Sequence, residues 1–552
     1  MDIYVTPPIN SYEEHILPDT IISDEYLSET INIKGSPGEI VPATFTIKSN
    51  EDKSIVVSEP DLQGIPVDIR VVKCWYQAGH ELSGATIDTI ELLPELLIKD
   101  DSLIALDIGN QNNYVKRTDG TYLMISERTY EWNPASPTID EFPVQDSDTL
   151  QPIDLVAGEN KQLWITVKIP SDAVPGTYSG VISIGTEAQV TISLTVLPIV
   201  FFTPSIETSL YYSARLDNGY PEGKMGNSPR SEQQMLAEFI NMKEHGNINP
   251  TCYQSYTDLT LLGRCMELRQ EAGLDNTNFY WLGLRLSSFG DNYTALQSKY
   301  LEMKDFLSNY GVENIYIYGP DEQDMNNPTT RARIDALHEV GGRLFNAQNK
   351  TKAPDIADVL DLCVLSGTVD DTYYADLYHS FGHKLYSYAN PQVGLEKPET
   401  YRKNYGLYLW QRDFDGGMDF AYHYGPGNLW NDWDWIYDCY PPECDPERHR
   451  RYKQHVFAYP TLNGVVDTLQ WEGFREGSTD LKYLFTLLHV VAIAKEKGKD
   501  TTDAEQFVSN LKTAVLSTLD MHQVRDDLIN YILTLKSNAT IDDTKTFQIA
   551  IA

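Results

Sequence analysis

From about residue 206 onward, short apolar runs alternate with helix-like stretches, and nothing else in the 552-residue chain constrains the fold as strongly. The strand-like runs are "SLYYSAR" (209–215), "INPTCY" (248–253), "FYWLGLRL" (279–286), "NIYIYG" (314–319), "RLFNAQN" (343–349), "DLCVLSG" (361–367), "KLYSYAN" (384–390) and "MDFAYHY" (418–424). Between them lie stretches such as "NYTALQSKYLEMKDFLSNYG" and "TTRARIDALHEVGG", each ending in a glycine of the kind that caps a helix. Apolar strands that take turns with helices of this length belong to a parallel sheet covered on its faces. Eight such units predict a (β/α)8 barrel over 206–500. Helical stretches after residue 470, among them "LKYLFTLLHVVAIAKEKG", close it and add a helical cap and tail over 501–552.

Residues 1–205 have another texture. "VPATFTIKSN", "VDIRVVKCWYQ", "QLWITVKIP", "GTYSGVISIG" and "AQVTISLTVLPIVF" are alternating or rich in β-branched residues, with Pro, Gly, Asn and Asp turns between them. Many short strands punctuated by turns predict an N-terminal β-sandwich. The expected class is therefore multidomain, β plus α/β, as a chain too long for one core requires. The last stretch, "TKTFQIAIA", reads as a strand returning to the sandwich.

Composition narrows the partners. With 80 acidic against 43 basic residues the net charge is -37, which repels a phosphate backbone, so no nucleic acid is expected. The 35 tyrosines and 9 tryptophans exceed what packing needs and suit flat surfaces that meet sugar rings. No uncharged apolar run reaches the length of a membrane span. The six cysteines include no CxxC, and only Cys439 and Cys444, in "CYPPEC", are near enough in sequence for a local bridge. No metal and no cofactor are expected. The start, "MDIYVTPPINSYEEH", lacks a basic and an apolar leader region. An extracellular or periplasmic protein whose leader has been removed, a cytoplasmic one and a virion component all remain open.

In a barrel of this kind the strand C-termini build the active site. The fourth strand runs "NIYIYGPDEQD" and delivers Asp321 and Glu322 there. Neighbouring strand residues point to opposite faces, so both acids can serve one ligand only where the strand breaks, and Gly319-Pro320 supplies the break.

Several stretches together resemble glycoside hydrolase family 123 and its uncharacterised relatives. They are "PSDAVPGTYSGVISI" ahead of the barrel, Asp-Glu after an aromatic-aliphatic fourth strand, "KLYSYANP" followed by "YRKNYGLYLWQRDFDGGMDFAYHY", and the late "LQWEGFREGSTDLKYL". The chain departs from the family pattern where Gln323-Asp324 follows the acid pair in place of Pro. The stretch "GPGNLWNDWDWIYDCYPPEC" is also its own. The resemblance implies a retaining hydrolase of β-linked N-acetylhexosamine, GalNAc-like, in which the substrate's own acetamido oxygen attacks the anomeric carbon. By that carry-over Glu322 is the general acid/base and Asp321 holds the acetamido N–H. Glu322 then needs a pKa raised by burial and by its charged neighbour.

Further residues are candidates for binding the glycan: Arg215 and Arg285 after the first and in the third strand, Asn349, Tyr388 and Asn390, Tyr422 and Tyr424, and Trp430. Trp433 and Trp435 share the aromatic loop with Trp430, which either lines a subsite or packs under the cap. The two arginines either hold a charged or hydroxylated substrate or anchor local carboxylates. Glu472 and Glu476 in "WEGFREG" read as capping and packing at the start of a late helix, and His423 as a wall residue pointing away from Tyr422 and Tyr424. "DFDGGMD" spaces acids like a calcium loop but lacks the bidentate Glu, so it reads as a turn. Two other classes stay open: a non-catalytic carbohydrate-binding or virion surface protein on the same architecture, and a glycosidase with a protein carboxylate nucleophile acting on another sugar.

Overall fold

The structure is a computed structural model that describes all residues except 10–14, 79–89, 127–143, 218–228, 322–324, 425–428, 431–434, 438–449, 454 and 540–552. Glu322, Trp433, Cys439, Cys444 and the expected final strand lie outside the described residues.

The chain is multidomain, β followed by α/β. In the first part, a seven-stranded antiparallel sheet runs in the order Asp2–Tyr4, Ile40–Lys48, Asn160–Lys168, Val67–Ala78, Ile90–Ile98, Val465–Thr468, Ala458–Pro460. A three-stranded sheet is built from Gly176–Ile184, Ala188–Val196 and Thr30–Gly35. In Ala188–Val196 the pattern is strict: Val190, Ile192, Leu194 and Val196 are buried while Gln189, Thr191 and Thr195 are exposed, as one covered face demands. These side chains share one core with Phe45, Ile69, Leu163 and Ile165 of the larger sheet. The two last strands of that larger sheet come from the far end of the chain. The hairpin 458–468 ties the second half to the first, with Asp467 opposite Leu97 and Thr468 opposite Leu96.

The second part is a curled, seven-stranded parallel sheet. Its order is Glu207–Leu210, Gly416–Asp419, Lys384–Tyr388, Leu362–Ser366, Arg343–Gln348, Asn314–Tyr318, Asn278–Arg285. The stretch expected as a second strand, 248–253, forms only a single bridge, Cys252 opposite Trp281. It nonetheless touches both edge strands. Thr251 N–H donates to Leu210 O (3.0 Å), Cys252 N–H to Tyr280 O (2.8 Å), and Leu282 N–H to Cys252 O (2.8 Å). Gly283 permits this approach, because a Cβ there would fall 1.8 Å from Gln254 O.

Alternate residues of each strand face inward or toward the helices. Tyr280, Tyr316, Tyr318, Phe345, Tyr386 and Met418 fill the inside of the curl. Phe279, Trp281, Ile315, Ile317, Leu344 and Leu385 pack outward under the helices. The first and last strands, Glu207–Leu210 and Gly416–Asp419, start two residues before the expected stretches 209–215 and 418–424 and stop well short of where those end. The outer ends leave the sheet after Leu210 and Asp419, and His423–Tyr424 instead pairs antiparallel with His455–Val456.

The helix Leu469–Glu496 starts at "LQWEGFREG", capped by Thr468 Oγ1, which accepts Trp471 N–H. Its Gly473 and Gly477 lie where a Cβ would meet Pro398 O at 2.1 Å and Arg402 O at 2.6 Å, so the helix Pro398–Asn404 sits directly on them. Glu476 is bound by Arg525 (2.5 Å) and Asp480 by Arg402 (2.8 Å), which fastens the helix Met521–Ala539 to the same spot. This structural role accounts for both glutamates: Glu472 pairs with Arg475 one turn on.

Candidate active site

At the C-terminal end of the strand Asn314–Tyr318, Tyr318 points into the curl and its hydroxyl donates to Asp321 Oδ1 at 2.6 Å. The turn between them is fastened to the next strand. Gly319 N–H donates to Phe345 O (3.0 Å) and Asn346 Nδ2 donates to Pro320 O (2.9 Å). A Cβ at Gly319 would come within 3.3 Å of that same amide. Gln348 Nε2 in turn donates to Asn346 Oδ1 (2.5 Å), which fixes the way the buried Asn346 amide faces. Asp321 is thus an exposed carboxylate on a turn held by backbone and amide hydrogen bonds.

Rings surround it. Tyr211 lies edge-on to Tyr318 (6.4 Å between centroids) and to Tyr388 (5.9 Å), with Phe420 at 5.6 Å and Tyr424 edge-on to Phe420 at 4.8 Å. Burial pushes the phenols of Tyr211, Tyr253 and Tyr318 far up, and the Asp321 carboxylate raises Tyr318 further, so all three remain neutral donors. Arg285 is exposed and holds its guanidinium over the Tyr318 ring, 5.9 Å from the centroid. Arg215 is also exposed, next to Leu216, whose N–H is held by Gln254 Oε1 beside Tyr253. Arg215, Arg285, Asp321 and Tyr424 all lie near enough to Tyr253 to act on its phenol. Gln392 Nε2 donates to the Tyr388 hydroxyl at 3.0 Å.

Asp321, Arg215, Arg285, Tyr388 and Tyr424 therefore converge at this mouth. Four other candidates are committed elsewhere. Asn349 caps its own turn, its Oδ1 accepting the N–H of Thr351 and Lys352. Asn390 is buried, and its Oδ1 and backbone carbonyl both accept from Asn404. Tyr422 points outward among the helices, donating to Asn241 Oδ1 (2.9 Å) against Trp471. Trp430 is buried in the core of the first part, where its Nε1 donates to Pro460 O and its ring meets Trp75 and Tyr459. Tyr422 thus sits in the layer packed under the helices and Trp430 in the neighbouring core. His423, also buried, faces Arg230 and Glu238; burial holds its pKa down to about 3, so the ring is neutral.

The acids of "DFDGGMD" diverge. Asp413 pairs with Lys512, Asp415 accepts Leu385 N–H and faces His379, and Asp419 is fully buried. Asp419 Oδ1 accepts Ala389 N–H at 3.3 Å, and burial raises its carboxyl to about 8 against the smaller opposing pull of Tyr405 and the backbone. Among the described residues, one group has metal-ligand chemistry: His245, Asp467 and Glu472 bring ligand atoms within 4.8 Å of one another. It lies beneath Trp471, on which His245 stacks, and its atoms are engaged by Asn241 and Arg475.

Asn346 and Gln348 hold the acid loop without being singled out in the sequence. The signal was there: Asn346 and Gln348, spaced by two among the apolar Leu344, Phe345 and Ala347, share one face of a strand.

No protein-family model and no curated protein sequence matches the chain. Solved structures do. A family 123 glycoside hydrolase from Clostridium perfringens, described for glycolipid glycan hydrolysis, superimposes with a TM-score of 0.56 over 98% of both chains at 11% identity. At that identity the likeness concerns the fold. A Bacteroides ovatus GH5 xyloglucanase (TM-score 0.29, 9% identity, covering 83% of this chain and 99% of the other) is a remoter match. So is a Thermobaculum terrenum O-GlcNAc hydrolase (0.27, 14%, 61% and 82%). The chain has a glycosidase-like fold.

Proposed function

We propose that the protein is a retaining glycoside hydrolase that cleaves a β-linked N-acetylhexosamine, GalNAc-like, from a glycan by substrate assistance. The observation that carries this reading is the anchored turn 319–321, which presents a carboxylate at the aromatic mouth of a fold shared end to end with a family 123 hydrolase. In this reading 206–500 is the catalytic unit, the second strand of a closed eight-stranded barrel is supplied by the stretch around Cys252, and 1–205 and 501–552 support it.

Neighbouring acids on one strand end flank a sugar ring poorly, whereas a retaining enzyme with a protein nucleophile needs two carboxylates roughly 5–5.5 Å apart across it. The pair suits a division of labour in which Asp321 aligns and polarises the acetamide while Glu322 protonates the leaving oxygen and later activates water. The Tyr318 hydroxyl holds Asp321 Oδ1 and leaves Oδ2 for the acetamido N–H. Tyr388 and Tyr424 offer ring faces to the sugar.

A panel of 4-nitrophenyl β-glycosides tests the assignment. Release of 4-nitrophenol from the 2-acetamido sugars and not from their 2-hydroxy counterparts is expected. Equal turnover of both sets would overturn substrate assistance.

A further inference from the structure

Among the described residues, the two arginines at the mouth lack the carboxylate partner that several other arginines of this acidic chain have. Arg70, Arg264, Arg331, Arg333, Arg402 and Arg525 each sit against a carboxylate at 2.5–2.9 Å. Arg215 and Arg285, both exposed, make no ion pair with any described residue. Arg343 is also exposed without an ion pair among the described residues, but its Nη1 donates to the Tyr316 hydroxyl at 2.9 Å, whereas no described side chain takes the guanidinium nitrogens of Arg215 or Arg285.

Both are held in place. Arg285 donates its backbone N–H to Ser288 Oγ (3.0 Å) and its Nε to Leu282 O (3.4 Å), while its charge lies over the Tyr318 ring. That leaves the two terminal amino groups, the fork that matches a carboxylate or sulfate, without a partner among the described residues. Arg215 is set by the strand bridge to Pro229 and by the Leu216–Gln254 hydrogen bonds. The Tyr318 ring separates Arg285 from Asp321: one side carries the guanidinium, the hydroxyl carries the acid. A group bound by the arginines therefore lies on the same sugar that Asp321 addresses or on its immediate neighbour.

We propose that the mouth takes an anionic glycan, bearing a sulfate ester or a uronate carboxylate that Arg285 and Arg215 bind next to the N-acetylhexosamine. The wider protein field repels such a ligand, so selection depends on these two local cations. The proposal rests on the hydrolase reading for the position of the sugar, but binding of the anion does not require turnover.

Calorimetric titration with N-acetylgalactosamine, its 6-sulfate and 4-sulfate, and an N-acetylgalactosamine–glucuronate disaccharide tests it. At low salt at least one anionic ligand should bind about tenfold or more tightly than the neutral sugar, and added salt should shrink the difference. Arg285→Ala and Arg215→Ala should each abolish most of that preference, and Arg285→Lys should restore part of it. Which ligand prevails separates ester from carboxylate. A neutral sugar bound as tightly as every anionic one, or an anionic preference untouched by both substitutions, overturns the proposal. Turnover of 4-nitrophenyl glycosides on the same samples separates the two claims. Hydrolysis of neutral substrates with no anionic preference would leave the hydrolase reading standing and sink this one. Arginine-dependent anion binding with no hydrolysis would do the reverse.

Discussion

Asp419 offers a stability test that can be worked through in numbers. It closes the strand Gly416–Asp419, is fully buried, and has its carboxyl raised to about 8 by burial. An aspartate in the unfolded chain titrates near 3.9. A raised acid keeps its proton in the folded state, so its contribution to stability is whole below about pH 4, falls as pH climbs towards 8, and is level beyond. Asp419→Asn replaces the protonated form with a neutral group of the same shape that never titrates. The gap in unfolding free energy between variant and wild type should then widen by about 1.4 kcal/mol per pH unit, roughly 3 kcal/mol between about pH 5 and pH 7.5. Glu39, raised to about 7, and His423 and His455, lowered to about 3 and 4, titrate in both proteins and cancel. Urea unfolding of the pair, side by side at the two pH values, gives the number. A gap that stays constant would mean that the carboxyl is ionised in the folded protein and would refute the reasoning.

Asn346→Ala removes the donor to Pro320 O and strands the Gln348 amide. It should cost about 1–3 kcal/mol and lower kcat/KM several-fold by loosening Asp321, read from melts and aryl-glycoside kinetics. Unchanged kinetics in a destabilised protein would confine Asn346 to the fold. Gly283→Ala forces a Cβ against Gln254 O and should cost about 2–3 kcal/mol, with hydrogen exchange rising first at Thr251 and Cys252, whose hydrogen bonds bridge the sheet edges.

Much of the second part was legible because buried parallel strands are written as uninterrupted apolar runs, and seven of the eight expected runs overlap a strand of the sheet. The eighth, around Cys252, carries its residues in the right place without forming a regular strand, since Pro250 removes a donor from the ladder. The hairpin 458–468 joining the first sheet was not legible, because pairing between Thr468 and Leu96 spans most of the chain and leaves no local trace. At the candidate site, the sequence put Asp321 just beyond a strand and Tyr388 near a strand end, as the structure has them. Which face a side chain takes once the strand has ended was beyond a period-two argument, and this is why Tyr422 and Trp430 turned up in cores. Asn390 was lost for a simpler reason: its neighbour Asn404 uses it.

The central claim is that the acid pair after the fourth strand performs the chemistry. The direct measurement is the leaving-group dependence of kcat/KM for wild type, Glu322→Gln and Asp321→Asn across aryl and alkyl β-N-acetylhexosaminides. Glu322→Gln should lose at least about a hundredfold on poor leaving groups, the usual worth of general acid catalysis, and far less on activated aryl glycosides. Asp321→Asn should slow both kinds alike, because it disables the acetamide rather than the proton transfer. Wild-type rates in both folded variants on every substrate would contradict the account and leave the pair without a catalytic role.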